Sequence, residues 1–177
     1  MRAFTAIELP EELRARIYDL TKKIPGNITE VSKENLHVTM HFFEEIGEDR
    51  IKDISETLDS IKVSRFKASV HGLSHFGGKE INVIYAKVFD NRSIKRMYYQ
   101  ISRDLQSKGI FFDTGTDFTP HITLARVKMK ADPNLRDFIN ENAEYSFGDF
   151  EVNSISLKRS VLGGSGPEYT TIASSNF

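Results

Sequence analysis

Two tetrads decide how this chain is read: His37-Val38-Thr39-Met40 and, 84 positions later, His121-Ile122-Thr123-Leu124. Each alternates polar and apolar residues. On a β-strand, successive side chains point to opposite faces. His37 and Thr39 therefore share one face while Val38 and Met40 occupy the other. The second tetrad does the same with His121 and Thr123 against Ile122 and Leu124. Each strand offers one imidazole and one hydroxyl, roughly 6.5–7 Å apart along the strand. A single His-x-Thr is weak, expected by chance in about one chain in five. Two copies with apolar residues at both alternate positions should arise by accident on the order of once in ten thousand chains.

Working outward, residues 2–9 form a short apolar strand, and Pro10 sits at a first helical position ahead of Glu11 and Glu12. Leu13, Ile17, Leu20 and Ile24 recur at helical spacing, with a stop at Pro25-Gly26. An extended piece near Val31 leads into the first tetrad and its continuation His41-Phe42-Phe43. Ile51, Ile54, Leu58 and Ile61 predict a second amphipathic helix. Phe66, Ala68 and Val70 alternate as a strand does, Gly77-Gly78 marks a turn, and 81–89 returns as a strand. Asp90 or Asn91 caps a helix through Ile94, Met97, Ile101 and Leu105, closed by Gly109. Residues 110–119 read as loop, followed by the second tetrad. Asp132-Pro133 opens a further helix through Leu135, Phe138 and Ile139. Strands at about 147–158 and 169–174, joined by a glycine-rich turn at 163–167, finish the chain.

The order strand, helix, His-x-Thr strand, helix, strand occurs twice. The offset of 84 that relates the histidines also carries the helix near 49–61 onto that near 133–142, and Phe66 onto Phe150. This predicts an α/β (α+β) fold of two lobes related by a pseudo-twofold axis. Each lobe is expected to be a mostly antiparallel sheet with helices on its outer face, around a central cleft. No linker interrupts residues 1–177, so one two-lobed domain is expected. The axis would bring the tetrads face to face.

Composition narrows the function classes. With 39% apolar residues, 28% charged residues and a net charge of −1, the chain has an ordinary globular composition and no long-range attraction for nucleic acid. Contact with RNA would have to be local, a pocket for an end. Absence of cysteine removes disulfides, thiolate metal sites and a Cys nucleophile. No apolar run approaches the ~20 residues of a membrane span, and no signal peptide is recognisable, so a cytoplasmic protein without membrane association is expected.

Two facing imidazoles permit acid–base chemistry. A reference pKa of about 6.5 lets one accept a proton from an attacking oxygen while the other donates to a departing one. Threonine hydroxyls beside them can hold phosphoryl oxygens. Two His and two Thr make a poor metal set, so no metal or cofactor is expected. The arrangement suits in-line displacement at phosphorus.

Asn35-Leu36-His37-Val38-Thr39-Met40 and Phe118-Thr119-Pro120-His121-Ile122-Thr123-Leu124-Ala125-Arg126 resemble the two motifs of the two-histidine phosphoesterase superfamily. With Phe4-Thr5-Ala6-Ile7-Glu8-Leu9-Pro10 and Gly166-Pro167-Glu168-Tyr169, the chain is similar to the RNA 2′,3′-cyclic phosphodiesterases, also called 2′-5′ RNA ligases. The resemblance implies hydrolysis of RNA 2′,3′-cyclic phosphate ends to 2′-phosphomonoesters, with tRNA halves among the candidate substrates, by a monomer. It also implies reversible, ATP-independent 2′-5′ joining. By motif match His37 is the general acid and His121 the general base, although near-symmetry leaves the two roles exchangeable. Thr39, Thr123, Arg126 and Phe42 would bind substrate. Phe42 and Arg126 each lie five residues past a motif histidine. Strict alternation would turn both away from the cleft, so each strand must bulge or end there. Glu44-Glu45 stands where the family commonly has Gly before Glu, which bears on RNA preference. His41 shares the His37 face by alternation, but packing is the expected role; His71 and His75 read as structural or surface residues. The alternatives are a cyclic phosphodiesterase for a small nucleotide and a non-catalytic nucleotide-binding module.

Overall fold

The computed structural model describes residues 1–113, 117–164 and 166–177. Part of the loop expected over 110–119, and Ser165 of the glycine-rich turn, fall outside the described residues. The strands are β1 (Arg2–Glu8), β2 (Ile28–Glu30), β3 (His37–Phe43), β4 (Phe66–Phe76), β5 (Val83–Phe89), β6 (His121–Val127), β7 (Ser146–Val152), β8 (Ser154–Gly163) and β9 (Gly166–Asn176). The helices are α1 (Glu11–Thr21), α2 (Ile51–Asp59), α3 (Ser93–Ser107) and α4 (Leu135–Glu141). Helix α1 ends a turn earlier than the spacing of Ile24 predicts, because Lys22–Ile24 tighten into turn hydrogen bonds before Pro25. Asp90 supplies the expected cap of α3, its Oδ2 accepting the Ile94 N–H at 2.8 Å.

All strands join one curled antiparallel sheet in the order β7-β4-β5-β6-β3-β1-β8-β9, with β2 paired to β6. The two halves meet at a single ladder pair between the histidine strands, Val38 with Ile122. Reading outward from that seam, β3 answers β6, β1 answers β5, β8 answers β4 and β9 answers β7. The pseudo-twofold is therefore present, but the chain crosses between the halves. β4 follows α2 yet sits in the β6 half, and β8 sits in the β3 half. α1, which leads from β1 of the β3 half to β2 on the edge of β6, packs against β6 and β7, while α2 packs on β8 and β9.

This crossing explains two departures from the predicted pattern. The strand expected at 147–158 breaks at Asn153 into β7 and β8, which belong to opposite halves. Alternation across Phe150, Val152, Ile155 and Leu157 signals buried strand on either side of the break and is blind to which half receives each piece. The offset of 84 also fails for Phe66 and Phe150, which lie on neighbouring strands of the same half, where Ala68 pairs with Phe150.

The helices cover one face of the sheet and bury a core that includes Ile17, Ile54, Leu58, Met97, Ile101, Val38 and Ile122. Each large aliphatic chain buried this way contributes about 1.5–3 kcal/mol. The opposite face carries His37 and Thr39.

Candidate active site

Val38 and Ile122 are direct partners and both are fully buried, so the side chains flanking them point to the other face. Antiparallel register then sets His37 across from Thr123 and Thr39 across from His121. The two histidines lie on the diagonal, where Cβ atoms in a regular ladder are roughly 7–8 Å apart. The ladder has only this one pair, since Val31 and β2 take over the edge of β6 from Leu124 onward, and the four polar side chains share the face of the sheet opposite the buried pair. A proton on His121 would act to lower His37 further.

Both strands carry the same irregularity. Thr5 and Ala6 of β1 face His41 and Thr39, leaving Met40 as an extra residue; Ile84 and Tyr85 of β5 face Ala125 and Thr123, leaving Leu124 as one. Met40 and Leu124 are again 84 apart. An inserted residue resets the alternation. Met40 and His41 are consecutive buried residues, as are Leu124 and Ala125, and Phe42 and Arg126 return to the face of the histidines. The bulges required by the sequence pattern are thus present. Phe42 is half-buried with the Arg2 guanidinium 5.3 Å from its ring centroid, and Arg126 is exposed. Glu44 and Glu45 are exposed in the bend directly after β3.

Each imidazole is held the same way. His37 Nδ1 lies 2.6 Å from the Asn35 carbonyl and His121 Nδ1 lies 2.7 Å from the Thr119 carbonyl. A carbonyl only accepts, so Nδ1 carries the proton in both neutral rings. That leaves Nε2 as the free lone pair. On His37 it accepts the Thr39 hydroxyl at 2.7 Å. Aromatic rings press on both: Phe4 stacks on His37 at 4.8 Å, and Tyr169 meets it edge-on at 5.6 Å. Phe76 and Tyr85 meet His121 edge-on at 4.9 and 5.2 Å.

This packing makes the charged forms expensive. Burial pushes the His37 imidazole down to about 4, offset in part by its bond to the Asn35 carbonyl. Burial also lowers His121, with the Arg126 charge acting in the same direction. Near neutral pH both rings are uncharged bases with Nε2 exposed to the groove. Beside His37, Glu8 forms an ion pair with Lys158 at 2.8 Å. Burial raises the Tyr169 phenol, with the Arg126 and Arg2 charges acting against it, and its ring packs edge-on against both Phe4 and His37.

His37, Thr39, His121 and Thr123 share this face as alternation predicts, and the bulges bring Phe42 and Arg126, assigned by the resemblance, to it as well. Sequence reasoning did not give Phe4, Tyr85, Phe76 or the Glu8–Lys158 pair a place at the site. The signal for Phe4 was present in the chain, since it alternates with Arg2 toward the groove. Tyr85 and Phe76 depend on pairing between distant strands. His41 leaves the groove altogether and is buried in the core. His71 lies 3.6 Å from Glu144, and half-buried His75 pairs with the core residue Ile84 of β5. Among the described residues, no three His, Asp or Glu side chains converge as metal ligands.

Residues 7–177 match the model of the AKAP7 2′5′ RNA ligase-like domain. The chain belongs to that family. Curated relatives of this 2′5′ RNA ligase-like chain include proteins named RNA 2′,3′-cyclic phosphodiesterase. One from Archaeoglobus fulgidus is 31% identical over 96% of each chain, and one from Methanocaldococcus jannaschii is 32% identical over 97% of this chain and 98% of its own. Among solved structures, a Thermus thermophilus protein superposes with a TM-score of 0.81 at 27% identity, covering 99% of this chain and 97% of that one. The Escherichia coli LigT complex with 3′-AMP shares the fold, with a TM-score of 0.82 at 21% identity over 99% of this chain and 97% of LigT.

Proposed function

We propose that the chain hydrolyses 2′,3′-cyclic phosphate ends of RNA to 2′-phosphomonoesters, without metal or cofactor. The observation that carries this reading is the diagonal placement of His37 and His121 across the Val38–Ile122 pair. A phosphorus atom between the rings has an Nε2 on either side. His121 takes the proton of an attacking water as its oxygen bonds to phosphorus. The bond from phosphorus to the 3′ oxygen breaks, and His37 delivers a proton to that oxygen. Thr39 and Thr123 donate to the non-bridging oxygens, Arg126 adds charge, and Phe42 stacks on a base. With the 5′-hydroxyl of a second RNA in place of water, the same displacement leaves a 2′-5′ bond and needs no ATP.

The acid role asks more of its residue than the base role, because His37 is neutral in the free protein. The negative charge of the substrate supplies the difference. The names of the relatives support the substrate class, and tRNA halves are natural bearers of such ends. We assign the activity to residues 1–177 acting as one unit, as a monomer in the cytoplasm; no helix among the described residues is long and apolar enough to cross a membrane.

The deciding experiment incubates a 2′,3′-cyclic-ended RNA with the protein in EDTA and identifies the product. A 2′-phosphate is expected; a 3′-phosphate, or no product until metal is restored, refutes the scheme. His37→Ala and His121→Ala should each lower turnover by about 10²–10⁴-fold with melting temperatures little changed, and undiminished activity in either would also refute it.

A further inference from the structure

The bulge at Met40 turns His41 into the core, where the corresponding residue of the other half is Ala125. A histidine stands in one half where a methyl group suffices in the other. Its hydrogen bonds fix its state. The Ser102 hydroxyl donates to the Tyr98 carbonyl at 2.8 Å, so its oxygen receives the His41 Nε2–H at 2.9 Å. The Thr5 hydroxyl oxygen accepts the His41 backbone N–H at 3.1 Å, and its proton points to Nδ1 at 3.0 Å. The ring is neutral, fully satisfied and held on three sides by β1, β3 and α3.

This rigid ring starts a column. Tyr98 stacks on His41 at 4.5 Å and 8°, and Phe118 stacks on Tyr98 at 4.0 Å and 3°, while Phe112 closes the edge of His41 at 4.9 Å. Two parallel rings this close must lie on opposite faces of Tyr98. The column therefore runs from β3 through α3 to the segment 117–120, which is neither helix nor strand. The residue after Phe118 is Thr119, whose carbonyl holds His121 Nδ1.

The other histidine is supported differently. Asn35, which holds His37, sits in a short 3-10 helix at Lys33–Asn35, and its side chain donates to the Pro167 carbonyl at 2.8 Å. That helix is tied down further by the Lys33–Glu11 ion pair at 2.7 Å. The two carbonyls do the same work, but one rests on a hydrogen-bonded helix and the other follows a stacked aromatic residue.

We infer that the His41–Tyr98–Phe118 stack holds the Thr119 carbonyl against His121 and so fixes that ring's tautomer and aim. His41, Tyr98 and Phe118 are thereby positioning residues for His121, acting without touching substrate. The inference rests on the proposed role of His121 only for its effect on turnover; the effect on the ring itself stands apart from it.

The test is Tyr98→Leu beside Tyr98→Phe, with ring-nitrogen NMR of all histidines and steady-state kinetics on a cyclic-ended oligonucleotide. In Tyr98→Leu, His121 should lose its single Nδ1–H form while His37 keeps its own. kcat should fall about tenfold or more with KM within about twofold, and Tyr98→Phe should behave as the parent. Phe118→Leu, which removes only the half-buried outer ring, replaces Tyr98→Leu should the latter not fold. A folded leucine variant with an undisturbed His121 spectrum overturns the inference, as does equal disturbance of His37 and His121. A disturbed His121 in a protein whose parent has no turnover would sink the functional reading and leave this one standing.

Discussion

The most direct probe of the two-histidine site is the titration of His37 in the presence of a bound anion. In the free protein burial holds this imidazole at about 4. A phosphodiester carrying one negative charge, seated about 4 Å from Nε2, interacts with the protonated ring by about 4 kcal/mol at an effective dielectric constant near 20. One pKa unit corresponds to about 1.4 kcal/mol, so occupancy should raise His37 by about three units, into the range where a general acid works at neutral pH. The measurement is best made in a His121→Ala variant, which stalls turnover and lets a nucleoside 2′,3′-cyclic phosphate remain bound. NMR of labelled histidine should place the His37 midpoint near 4 without ligand and near 7 with saturating ligand. Linkage imposes a second reading. Between those midpoints the complex binds a proton that the free protein does not, so affinity should fall by up to about tenfold per pH unit as pH rises. A ligand that binds with pH-independent affinity and leaves the His37 midpoint unmoved does not sit beside this ring, and the diagonal arrangement would then have no catalytic meaning.

Arg126→Met should weaken binding of the cyclic-ended oligonucleotide by about tenfold or more, as loss of one charge-assisted contact predicts, while the free-protein midpoint of His121 moves upward because Arg126 lowers it; unchanged binding would remove Arg126 from the substrate contacts. Acid stability provides the other test. His41 is held at about 3 by burial, below its ordinary 6.5. The unfolded chain therefore takes up the proton first. The stabilisation is complete above about pH 6.5 and is lost as pH falls toward 3, the loss reaching about 2 kcal/mol by pH 5. Denaturant unfolding of His41→Gln should show a shallower loss of stability than the parent between pH 6 and 4, and equal slopes would mean that His41 charges without cost.

The tetrads, the repeated order and the need for bulges were legible because each leaves a mark at short range. A strand of period two cannot put His37 and Phe42 on one face without an extra residue, so the demand for a bulge was written into the spacing. What short range could not show was destination. The residues around Asn153 alternate like one strand because both pieces are half-buried, yet β7 and β8 part company there. Simple alternation from His37 directs His41 to the groove and Phe42 to the core, the reverse of where they lie, because it counts across the very position where it resets; the packing role expected for His41 and the groove contact expected for Phe42 both depend on that reset. The shell around the imidazoles was hidden for a third reason. Tyr85 and Phe76 reach His121 through pairings between distant strands, and nothing local in either stretch announces the neighbour it will meet.

The interleaved path of the chain has a consequence for how the groove meets its substrate. Every excursion from one half to the other is a covalent tie, so the pair cannot swing apart like jaws about a single flexible joint. The spacing between the imidazoles is thus set by the Val38–Ile122 pair and by the ties across it, rather than by a hinge. Adaptation to larger or smaller ends is left to the rim, where the β8–β9 hairpin and the exposed carboxylates after β3 lie beyond the shared seam. In this chain the border can be rewritten without touching the interior gauge, because none of the ties that set the gauge passes through it.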